Sequence, residues 1–391
     1  MNTADTTRVT VFDTTLRDGE QAAGAAMTAA QKITIAGMLE IAGVDVIEAG
    51  FPASNAESFQ SVHDIAQASK RAIICALARG TVSDIATAAA SLVPAGDRAR
   101  IHIFVATDAS HIALKLKLQP GDVLDMIRQS VTQAVALVPS VEFTPEVATT
   151  TDFDFLCTSV RVAIASGASV INIADTTGHC FPWEYGDLIR RLQIAVPECI
   201  KIVLSTHCHN DRGCATANTL EGIRAGARQV ECTVNGIGER AGNAALEEVL
   251  MALTLREASF GVQHRVDTTM LTALSHQVSD ASGFIVSPNK AFVGRNAFAH
   301  ESGIHQAGVL AQAGLYEICT PELVGNVRTL PLSKISGRKG LFATLERLGY
   351  VATSDQLEEL YCAVMHQAKV EKQVSDAFIR TYIKTHKFAK N

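Results

Sequence analysis

Short runs of β-branched and other apolar residues recur along the first two thirds of the chain, with starts about 28 to 40 residues apart. Each interval has the length of one strand, one helix and their connecting loops. Because the runs are short and are bounded by polar residues, they predict eight strands rather than helices. The predicted strands are Val9–Phe12, Val44–Ile47, Ile73–Ala78, Ile101–Val105, Val141–Thr144, Val170–Ile173, Ile202–Ser205 and Val230–Val234.

The segments between these runs carry helical patterns. After the first strand, Thr28 and Gln31 have the spacing of a capping box, apolar residues follow at helical intervals, and Gly43 is a stop signal. Glu184–Leu192 and Ala215–Ala225 have similar patterns. Eight strands alternating with helices predict an α/β fold, a parallel (β/α)8 TIM barrel, and its usual size matches residues 1–262.

The pattern changes from about residue 263. Pro288 and Gly294 interrupt the chain, and helical spacing dominates from Leu341 onwards. We therefore predict two parts, a catalytic barrel at 1–262 and a smaller, mostly helical C-terminal region at 263–391.

Composition narrows the class of protein. Of the 391 residues, 47% are apolar and 19% are charged, which is typical of a globular chain, and the net charge of −6 argues against nucleic-acid binding. No apolar run reaches the roughly 18 residues that would span a membrane, and the first residues lack a signal-peptide pattern. Nine cysteines without a CxxC pair indicate reduced thiols. We expect a cytoplasmic enzyme.

Polar side chains follow most of the predicted strands. In a (β/α)8 barrel the carboxyl ends of all strands meet at one rim, where active sites form. Six of the eight strand ends carry charged or metal-binding groups: Asp13, Arg17, Asp18 and Glu20; Glu48; Thr144 and Glu146; Asp175 and Thr176; His207, His209 and Asp211; Asn235, Glu239, Arg240 and Asn243. This concentration predicts a catalytic rim.

His207 and His209 are two residues apart, so both side chains point to the same face of a strand. Together with Asp18 and the amide oxygen of Asn243 they could bind a divalent metal. A nitrogen and oxygen set without thiolate suits Mg²⁺ or Mn²⁺, and Zn²⁺ is also possible. The alternative is a pair of hydrogen-bonded histidines that closes the top of the barrel.

Arg17 and Glu146 each have two interpretations. Arg17 could form a salt bridge within its loop, or it could be a fixed cation that stabilises an oxyanion beside the metal. Glu146 could be an acid or base, or an anion at a helix N-terminus.

Four motifs resemble those of the DRE-TIM metallolyase superfamily: Phe12–Gln21 (FDTTLRDGEQ), His207–Asp211 (HCHND), Asn235–Asn243 (NGIGERAGN) and Phe298–Gln306 (FAHESGIHQ). The last motif resembles the Claisen-condensing branch, the isopropylmalate and homocitrate synthases above all. Members of this branch join the methyl carbon of acetyl-CoA to a 2-oxo acid and then hydrolyse the thioester.

The resemblance implies a role for each matching residue. Asp18, His207, His209 and Asn243 would hold the divalent metal, and Arg17 would neutralise a developing alkoxide. Glu146 and His305 are candidates for removing the methyl proton or activating water, and Tyr316 would assist. Glu48 and Thr176 would position the substrate. The resemblance also implies a domain-exchanged homodimer, in which the segment carrying His305 and Tyr316 reaches the partner's barrel.

Some residues depart from the family pattern. Glu142 replaces the arginine with which homocitrate synthases bind a distal carboxylate, whereas Arg212 could recognise a second anionic group. Val147, Thr150, His179 and Lys334–Ser336 also differ from the usual residues. We expect 2-oxoisovalerate as acceptor, giving 2-isopropylmalate.

Three alternatives stay open. The first is the same condensation on another 2-oxo acid, by a homocitrate, citramalate or phosphonomethylmalate synthase. The second is a carbon–carbon lyase of the same superfamily, and the third is a non-catalytic sensor of 2-oxo acids. Because the sequence ends at Asn391, we also expect no leucine-binding regulatory domain.

Overall fold

The computed structural model describes residues 7–391, which form two compact units. The barrel unit ends at Val286, and the C-terminal unit spans Ser287–Asn391. The sequence pattern placed the boundary after residue 262. In the structure, residues 263–286 belong to the barrel unit because the helix Leu271–Ser282 packs against the helix Ala29–Ala42.

Eight parallel strands close into a barrel in chain order, with the last strand paired to the first. This arrangement confirms the predicted (β/α)8 fold, and each predicted strand overlaps an observed one. The strands are β1 (Thr10–Asp13), β2 (Val46–Gly50), β3 (Ile73–Arg79), β4 (Ala99–Ala106), β5 (Ser140–Glu146), β6 (Val170–Asp175), β7 (Val203–Cys208) and β8 (Gln229–Cys232).

Helices connect the strands of the barrel unit. The first begins with the predicted capping box, in which Gln31 donates its backbone N–H to Thr28 Oγ1, and it ends at Gly43 in the left-handed conformation (φ 92°). The helices are α1 (Ala29–Ala42), α2 (Ala56–Ala68), α3 (Val82–Ser91), α4 (Ala109–His111), α5 (Pro120–Val135), α6 (Phe153–Ala165), α7 (Pro182–Ala195), α8 (Ala215–Arg224), α9 (Leu246–Leu255), α10 (Glu257–Phe260) and α11 (Leu271–Ser282).

The interior of the barrel is polar and is built in layers, because alternate residues of each strand point inward. A deep layer contains Glu142, which accepts hydrogen bonds from Arg100 Nη1 (3.1 Å) and Gln229 Nε2 (2.7 Å). A middle layer contains His102, whose ring nitrogens lie 2.7 Å from Glu48 Oε1 and 2.6 Å from Thr144 Oγ1. These buried hydrogen bonds make a rigid floor beneath the rim.

The C-terminal unit is mostly helical, as predicted. Its core consists of leucine, valine and isoleucine side chains that its helices bury against one another, among them Leu341, Leu360 and Ile379. The helices are α12 (Gly303–Ala311), α13 (Arg338–Leu348), α14 (Ser354–Gln367) and α15 (Asp376–Thr385), and the short strands β9 (Tyr350–Val351) and β10 (Ala389–Lys390) pair antiparallel. Within residues 7–391, no helix combines the length and apolar character needed to cross a membrane.

Gly222 of α8 packs so closely against its neighbours that a larger side chain there should destabilise the fold. A Cβ atom at Gly222 would lie 2.5 Å from Thr206 Cγ2 and 3.0 Å from Tyr185 Cε1, so these groups would have to move. We expect Gly222→Ala to lower the free energy of unfolding by about 1–3 kcal/mol, as overpacking typically does. Urea unfolding followed by circular dichroism measures this change.

Gly37→Ala is the matched control, because Gly37 also lies inside a helix but a Cβ there would meet nothing within 4 Å. Replacing an interior helical glycine by alanine stabilises by about 0.5–1 kcal/mol where space allows. Equal stability of the two variants would contradict the close packing of α8.

Candidate metal centre and active site

Two histidines and one aspartate converge at the carboxyl end of the barrel. His207 is in β7 and His209 follows the strand on the same face, while Asp18 lies in the loop after β1. The two Nε2 atoms are 3.1 Å apart, and Asp18 Oδ2 lies 3.8 Å from His207 Nε2 and 3.6 Å from His209 Nε2. All three side chains are buried.

The protonation states at this cluster suit a cation. Burial lowers the pKa of His207 to about 4 and that of His209 to about 4, so both imidazoles are neutral near pH 7. Burial opposes ionisation of Asp18, but the adjacent Arg17 guanidinium holds the pKa of this carboxyl below its ordinary value. Neutral imidazole and ionised carboxylate are the forms that bind metal ions.

Asn243 adds an independent observation. Its Nδ2 donates to Asp18 Oδ2 (2.6 Å) and to the carbonyl oxygen of Ile237 (3.1 Å), whereas its buried Oδ1 has no hydrogen-bond partner among residues 7–391. A buried carbonyl without a partner is unfavourable, by about 1–3 kcal/mol. In this orientation the amide nitrogen faces Asp18, so Oδ1 would become a ligand of an ion there only after the amide group flips.

The separations within the cluster also fit one divalent ion. Metal bonds to nitrogen and oxygen are about 2.0–2.2 Å long, which places neighbouring ligands roughly 3–3.6 Å apart. The three measured separations are close to that range. The three donors Asp18, His207 and His209 therefore fit a divalent metal, and Asn243 as a fourth ligand stays a prediction.

A second group of potential ligands, Glu48, Cys75 and His102, lies below the rim. Glu48 already accepts hydrogen bonds from Arg17 Nε (2.6 Å) and Thr14 Oγ1 (2.6 Å). Burial raises the pKa of the Cys75 thiol well above its ordinary value, which keeps it protonated. This group is therefore a hydrogen-bonded support rather than a metal centre.

Arg17 forms the salt bridge of its first interpretation, and its second interpretation, a cation that stabilises an oxyanion, stays a prediction. Its Nε donates to Glu48, and its Nη1 donates to Asp18 Oδ1 at 3.0 Å. These salt bridges fix the guanidinium beside the metal cluster, where it could stabilise a developing oxyanion. The structure thus gives Glu48 a supporting position, fully buried, through which Arg17 is oriented.

A cavity of about 330 Å³ opens above the cluster. Nine of the residues singled out in the sequence line it: Arg17, Asp18, Thr144, Glu146, Thr176, His207, His209, Glu239 and Arg240. The remaining lining includes apolar and charged side chains that the sequence analysis did not select, namely Leu77, Phe104, Ala174, Lys115 and Glu231.

Three predicted substrate residues, Glu48, Glu142 and Arg212, lie outside this lining. Glu142 is in the deep layer of the barrel, where burial and the nearby Glu231 raise its pKa to about 8. Arg212 is exposed, and its guanidinium carbon lies 5.2 Å from the centre of the Phe181 ring.

His305 and Tyr316 belong to the C-terminal unit. Their rings stack with centroids 4.3 Å apart and an interplanar angle of 27°. Both residues are exposed on that unit, as are Ile304 and Ile318. The structure therefore brings this pair together and leaves it accessible.

Sequence reasoning missed two residues with direct contacts to the site. Lys115 Nζ donates to both carboxylate oxygens of Glu146, at 2.7 and 2.8 Å, and no pattern in its loop could have revealed this. Glu231 Oε2 lies 2.8 Å from His207 Nδ1, so this carboxyl group contacts one histidine of the cluster directly. The signal that could have revealed Glu231 is its charge, because a glutamate is unusual in the apolar run that forms β8.

The assignment of ligands predicts the effect of removing one imidazole. His209→Ala should weaken Mn²⁺ binding at least about tenfold, since it removes a nitrogen from the cluster. Titration calorimetry with MnCl₂ measures the change. His366→Ala, which alters an exposed histidine of α14, is the control and should bind Mn²⁺ like the unmodified chain. Equal affinity of all three proteins would exclude His209 as a ligand.

Comparison with known proteins places this geometry in a family. The HMGL-like family model matches residues 8–278, and the model described as homocitrate synthase post-HMGL domain-like matches residues 292–372. The 2-isopropylmalate synthase of Bradyrhizobium sp. (strain ORS 278) is 49% identical over 97% of this chain and 72% of its own length. The corresponding figures for the 2-isopropylmalate synthase of Rhodopseudomonas palustris (strain TIE-1) are 48%, 96% and 72%.

Solved structures agree on the fold. The hydroxymethylglutaryl-CoA lyase of Pseudomonas aeruginosa superposes with a TM-score of 0.62 at 20% identity, covering 78% of this chain and 98% of the lyase. The family models and the relatives together span both units of the structure. The chain belongs to the HMGL-like family.

Proposed function

We propose that the chain condenses acetyl-CoA with a 2-oxo acid and hydrolyses the thioester to release CoA. The preferred acceptor is 2-oxoisovalerate, which would give 2-isopropylmalate. The observation that carries the proposal is the convergence of Asp18, His207, His209 and Arg17 at one cavity. The relatives that share about half of the sequence are 2-isopropylmalate synthases.

The barrel residues would bind and activate the acceptor. A divalent metal held by Asp18, His207, His209 and Asn243, Mg²⁺ or Mn²⁺ by preference, would act as a Lewis acid toward the 2-oxo acid. Arg17 is fixed by Glu48 and Asp18 with its guanidinium at the cavity, so it can stabilise the alkoxide that forms when the ketone carbon is attacked. Thr176 lines the same cavity and would orient the acid.

The condensation needs a base, and the hydrolysis needs a water molecule. Removing a methyl proton of acetyl-CoA allows the methyl carbon to bond to the ketone carbon, and the alkoxide is then protonated. Water next attacks the thioester, the carbon–sulfur bond breaks, and the CoA thiolate leaves and is protonated. Glu146 in the cavity and His305 beside Tyr316 are the groups proposed for these proton transfers.

The cavity wall favours an acceptor with a small apolar side chain. Leu77, Phe104 and Ala174 supply apolar surface beside the cluster. Two cations in the lining are already neutralised, because Lys115 pairs with Glu146 and Arg240 donates to Asp211 Oδ1 at 2.8 Å. These pairings and the position of Arg212 favour 2-oxoisovalerate over acids with a second anionic group.

The proposal includes a homodimer in which each C-terminal unit completes the partner's barrel. Its support is the exposed pair of His305 and Tyr316, flanked by Ile304, which is 75% exposed, and Ile318, which is 77% exposed. Exposed apolar residues grouped around polar ones are typical of interaction surfaces. A cytoplasmic location is proposed as well, because all nine cysteines are free thiols.

The acceptor is tested by following thiol release from acetyl-CoA with 2-oxoisovalerate, pyruvate, 2-oxoglutarate, oxaloacetate and phosphonopyruvate. We expect the highest kcat/KM with 2-oxoisovalerate, and loss of the signal when the metal is chelated. Arg212→Ala should leave the order of preference unchanged, since Arg212 is outside the cavity lining. A preference for a dicarboxylic acid, abolished by Arg212→Ala, would contradict the proposed acceptor.

Exchange of C-terminal units is tested by mixing two inactive variants, His207→Ala and His305→Ala. In an exchanged heterodimer, one site receives an intact barrel from one subunit and an intact His305 from the other. After unfolding and refolding of an equal mixture, about a quarter of the unmodified activity should return, because half of the dimers are mixed and each has one complete site. Each variant refolded alone is the control. No recovery from a refolded, dimeric mixture would overturn the exchange.

A further inference from the structure

Glu146, one of the two groups proposed for proton transfer, has a firmly held backbone. Its carbonyl oxygen accepts from the backbone N–H of Thr107 (3.2 Å), and the N–H of the next residue, Val147, donates to Thr176 Oγ1 (2.9 Å). Val147 adopts the left-handed conformation (φ 64°), which is unusual for a β-branched residue and ends the extended backbone of β5. These contacts fix the point from which the Glu146 side chain enters the cavity above the metal cluster.

The carboxylate of Glu146 is held by a lysine. A glutamate side chain still rotates about several bonds when its backbone is fixed, so its carboxylate needs a contact of its own to keep one position. Lys115 Nζ donates to Oε1 at 2.7 Å and to Oε2 at 2.8 Å. Within residues 7–391, Lys115 is the partner that the structure gives to this carboxylate. One ammonium group therefore sets both its position and its orientation.

Lys115 is carried by an unusual piece of backbone. It belongs to a single π-helical turn, Ile112–Leu116, which follows α4 and ends at Lys117 in the left-handed conformation (φ 57°). Such turns are rare and occur frequently at functional sites. Ile112 is buried beneath the turn, and Lys115 Nζ lies 5.8 Å from the centre of the Phe104 ring, which lines the same cavity. The turn thus places the ammonium group at the cavity wall.

The contact with Lys115 leaves Glu146 able to exchange a proton. Each carboxylate oxygen has two lone pairs, and an ammonium group has three N–H donors and no lone pair. One N–H to each oxygen therefore leaves a lone pair on each oxygen for a proton. Lys115 does not compete for that proton, since a protonated lysine cannot accept one.

The same contact contributes more to order within the cavity than to the stability of the fold. The Lys115 side chain is 50% exposed, and exposed ion pairs typically stabilise little because solvent screens them. Proton transfer, by contrast, requires the base within about 2.6–3.2 Å of the atom that gives up the proton, so a small displacement lowers the rate. Loss of the lysine should therefore affect the rate far more than the fold.

We propose that Lys115 is a positioning residue for Glu146, an inference that rests on the proposed function. Its ammonium group holds the carboxylate in the position from which Glu146 carries out the proton transfers proposed for it. Lys115 keeps its own proton throughout and acts through Glu146. Two of its three N–H donors are already taken by that carboxylate, which argues against a direct role in binding the acceptor acid.

Lys115→Met removes the charge and nearly keeps the length of the side chain. We expect kcat with acetyl-CoA and 2-oxoisovalerate to fall at least about tenfold, because the carboxylate loses its fixed position, while both KM values change less than about twofold. Lys115→Arg should recover most of kcat, since a guanidinium also binds both oxygens of a carboxylate. Steady-state kinetics of the full chain measure these changes.

Lys117→Met is the matched control. Lys117 ends the same turn and is exposed, but it lies outside the cavity lining, so its replacement should leave the kinetics unchanged. An equal fall in kcat in Lys115→Met and Lys117→Met would overturn the proposal, because the effect would then belong to the turn as a whole. A higher KM for 2-oxoisovalerate with an unchanged kcat in Lys115→Met would also overturn it, since the lysine would then bind the acceptor.

A double variant tests whether Lys115 acts through Glu146. If it does, removing the lysine has no further effect once the carboxylate is gone, because residues that act as one unit are not additive. Glu146→Gln combined with Lys115→Met should therefore have the kcat of Glu146→Gln alone, within about twofold. A combined loss equal to the product of the two separate losses would contradict the proposed coupling.

Crystal structures of the unmodified chain and the two Lys115 variants show the carboxylate independently of turnover. In Lys115→Met we expect the Glu146 carboxylate to leave its position or to occupy several, and in Lys115→Arg to return to it. The cluster of Asp18, His207 and His209 should be the same in all three structures. A well-ordered Glu146 in its original position in Lys115→Met would overturn the positioning role.

The positioning role and the proposed function fail separately. If the unmodified chain turns over and Lys115→Met has the same kcat, the positioning role falls and the proposed function stands. If no acceptor gives thiol release, the proposed function falls, and the crystal structures still decide whether Lys115 holds Glu146 in place.

Discussion

The active-site geometry depends on one buried carboxylate. Glu48 is fully buried, yet both of its oxygens are engaged: Oε2 accepts from Arg17 Nε and Thr14 Oγ1, and Oε1 lies 2.7 Å from His102 Nδ1. Burying a charge is unfavourable unless it is paired, and removing one partner of a buried ion pair costs about 3–5 kcal/mol. Glu48 and Arg17 therefore stabilise each other, and this pairing holds the guanidinium of Arg17 beside Asp18.

The regular alternation of the strands extends this support through the barrel. On β5, Glu142, Thr144 and Glu146 are each two residues apart and all point inward, so they occupy the deep layer, the middle layer and the rim. The inward face of β7 continues from Ser205 to His207, and His209 follows beyond the strand. Hydrogen bonds connect the side chains of these layers, as those of His102 with Glu48 and Thr144 do, and Glu48 in turn binds Arg17 at the rim. The side chains at the rim are therefore positioned by the polar groups beneath them.

The sequence was sufficient to predict the barrel, its eight parallel strands and the convergence of Asp18, His207 and His209 at its rim. All of these follow from local periodicity and from the rule that the carboxyl ends of parallel strands share one rim. The depth at which a side chain lies inside the barrel could not be predicted from the sequence pattern. The family resemblance made Glu142 a candidate substrate residue, whereas the structure places it in the deep layer of the barrel.

Contacts between segments that are distant in the chain could not be predicted from the hydrophobic pattern either. Lys115 reaches Glu146 across 31 residues of chain, and the packing of α11 on α1 decides that residues 263–286 belong to the barrel unit. Neither contact leaves a periodic signal, because each depends on where a loop or a helix lies in space.

The adjacency of Arg17 and Asp18 restricts how such a site can diverge. One turn of backbone carries both the fixed guanidinium of Arg17 and the carboxylate of Asp18, the proposed metal ligand. Three neighbouring groups, Glu48, Thr14 and Asn243, hold that turn in place. A substitution there would disturb two functions together, so selection has little freedom in the loop after β1. The loops after β5 and β6 hold no such double anchor. Val147, Thr150 and His179, three of the positions where this chain departs from the family pattern, lie in those loops, where new acceptor preferences can arise while the shared chemistry is preserved.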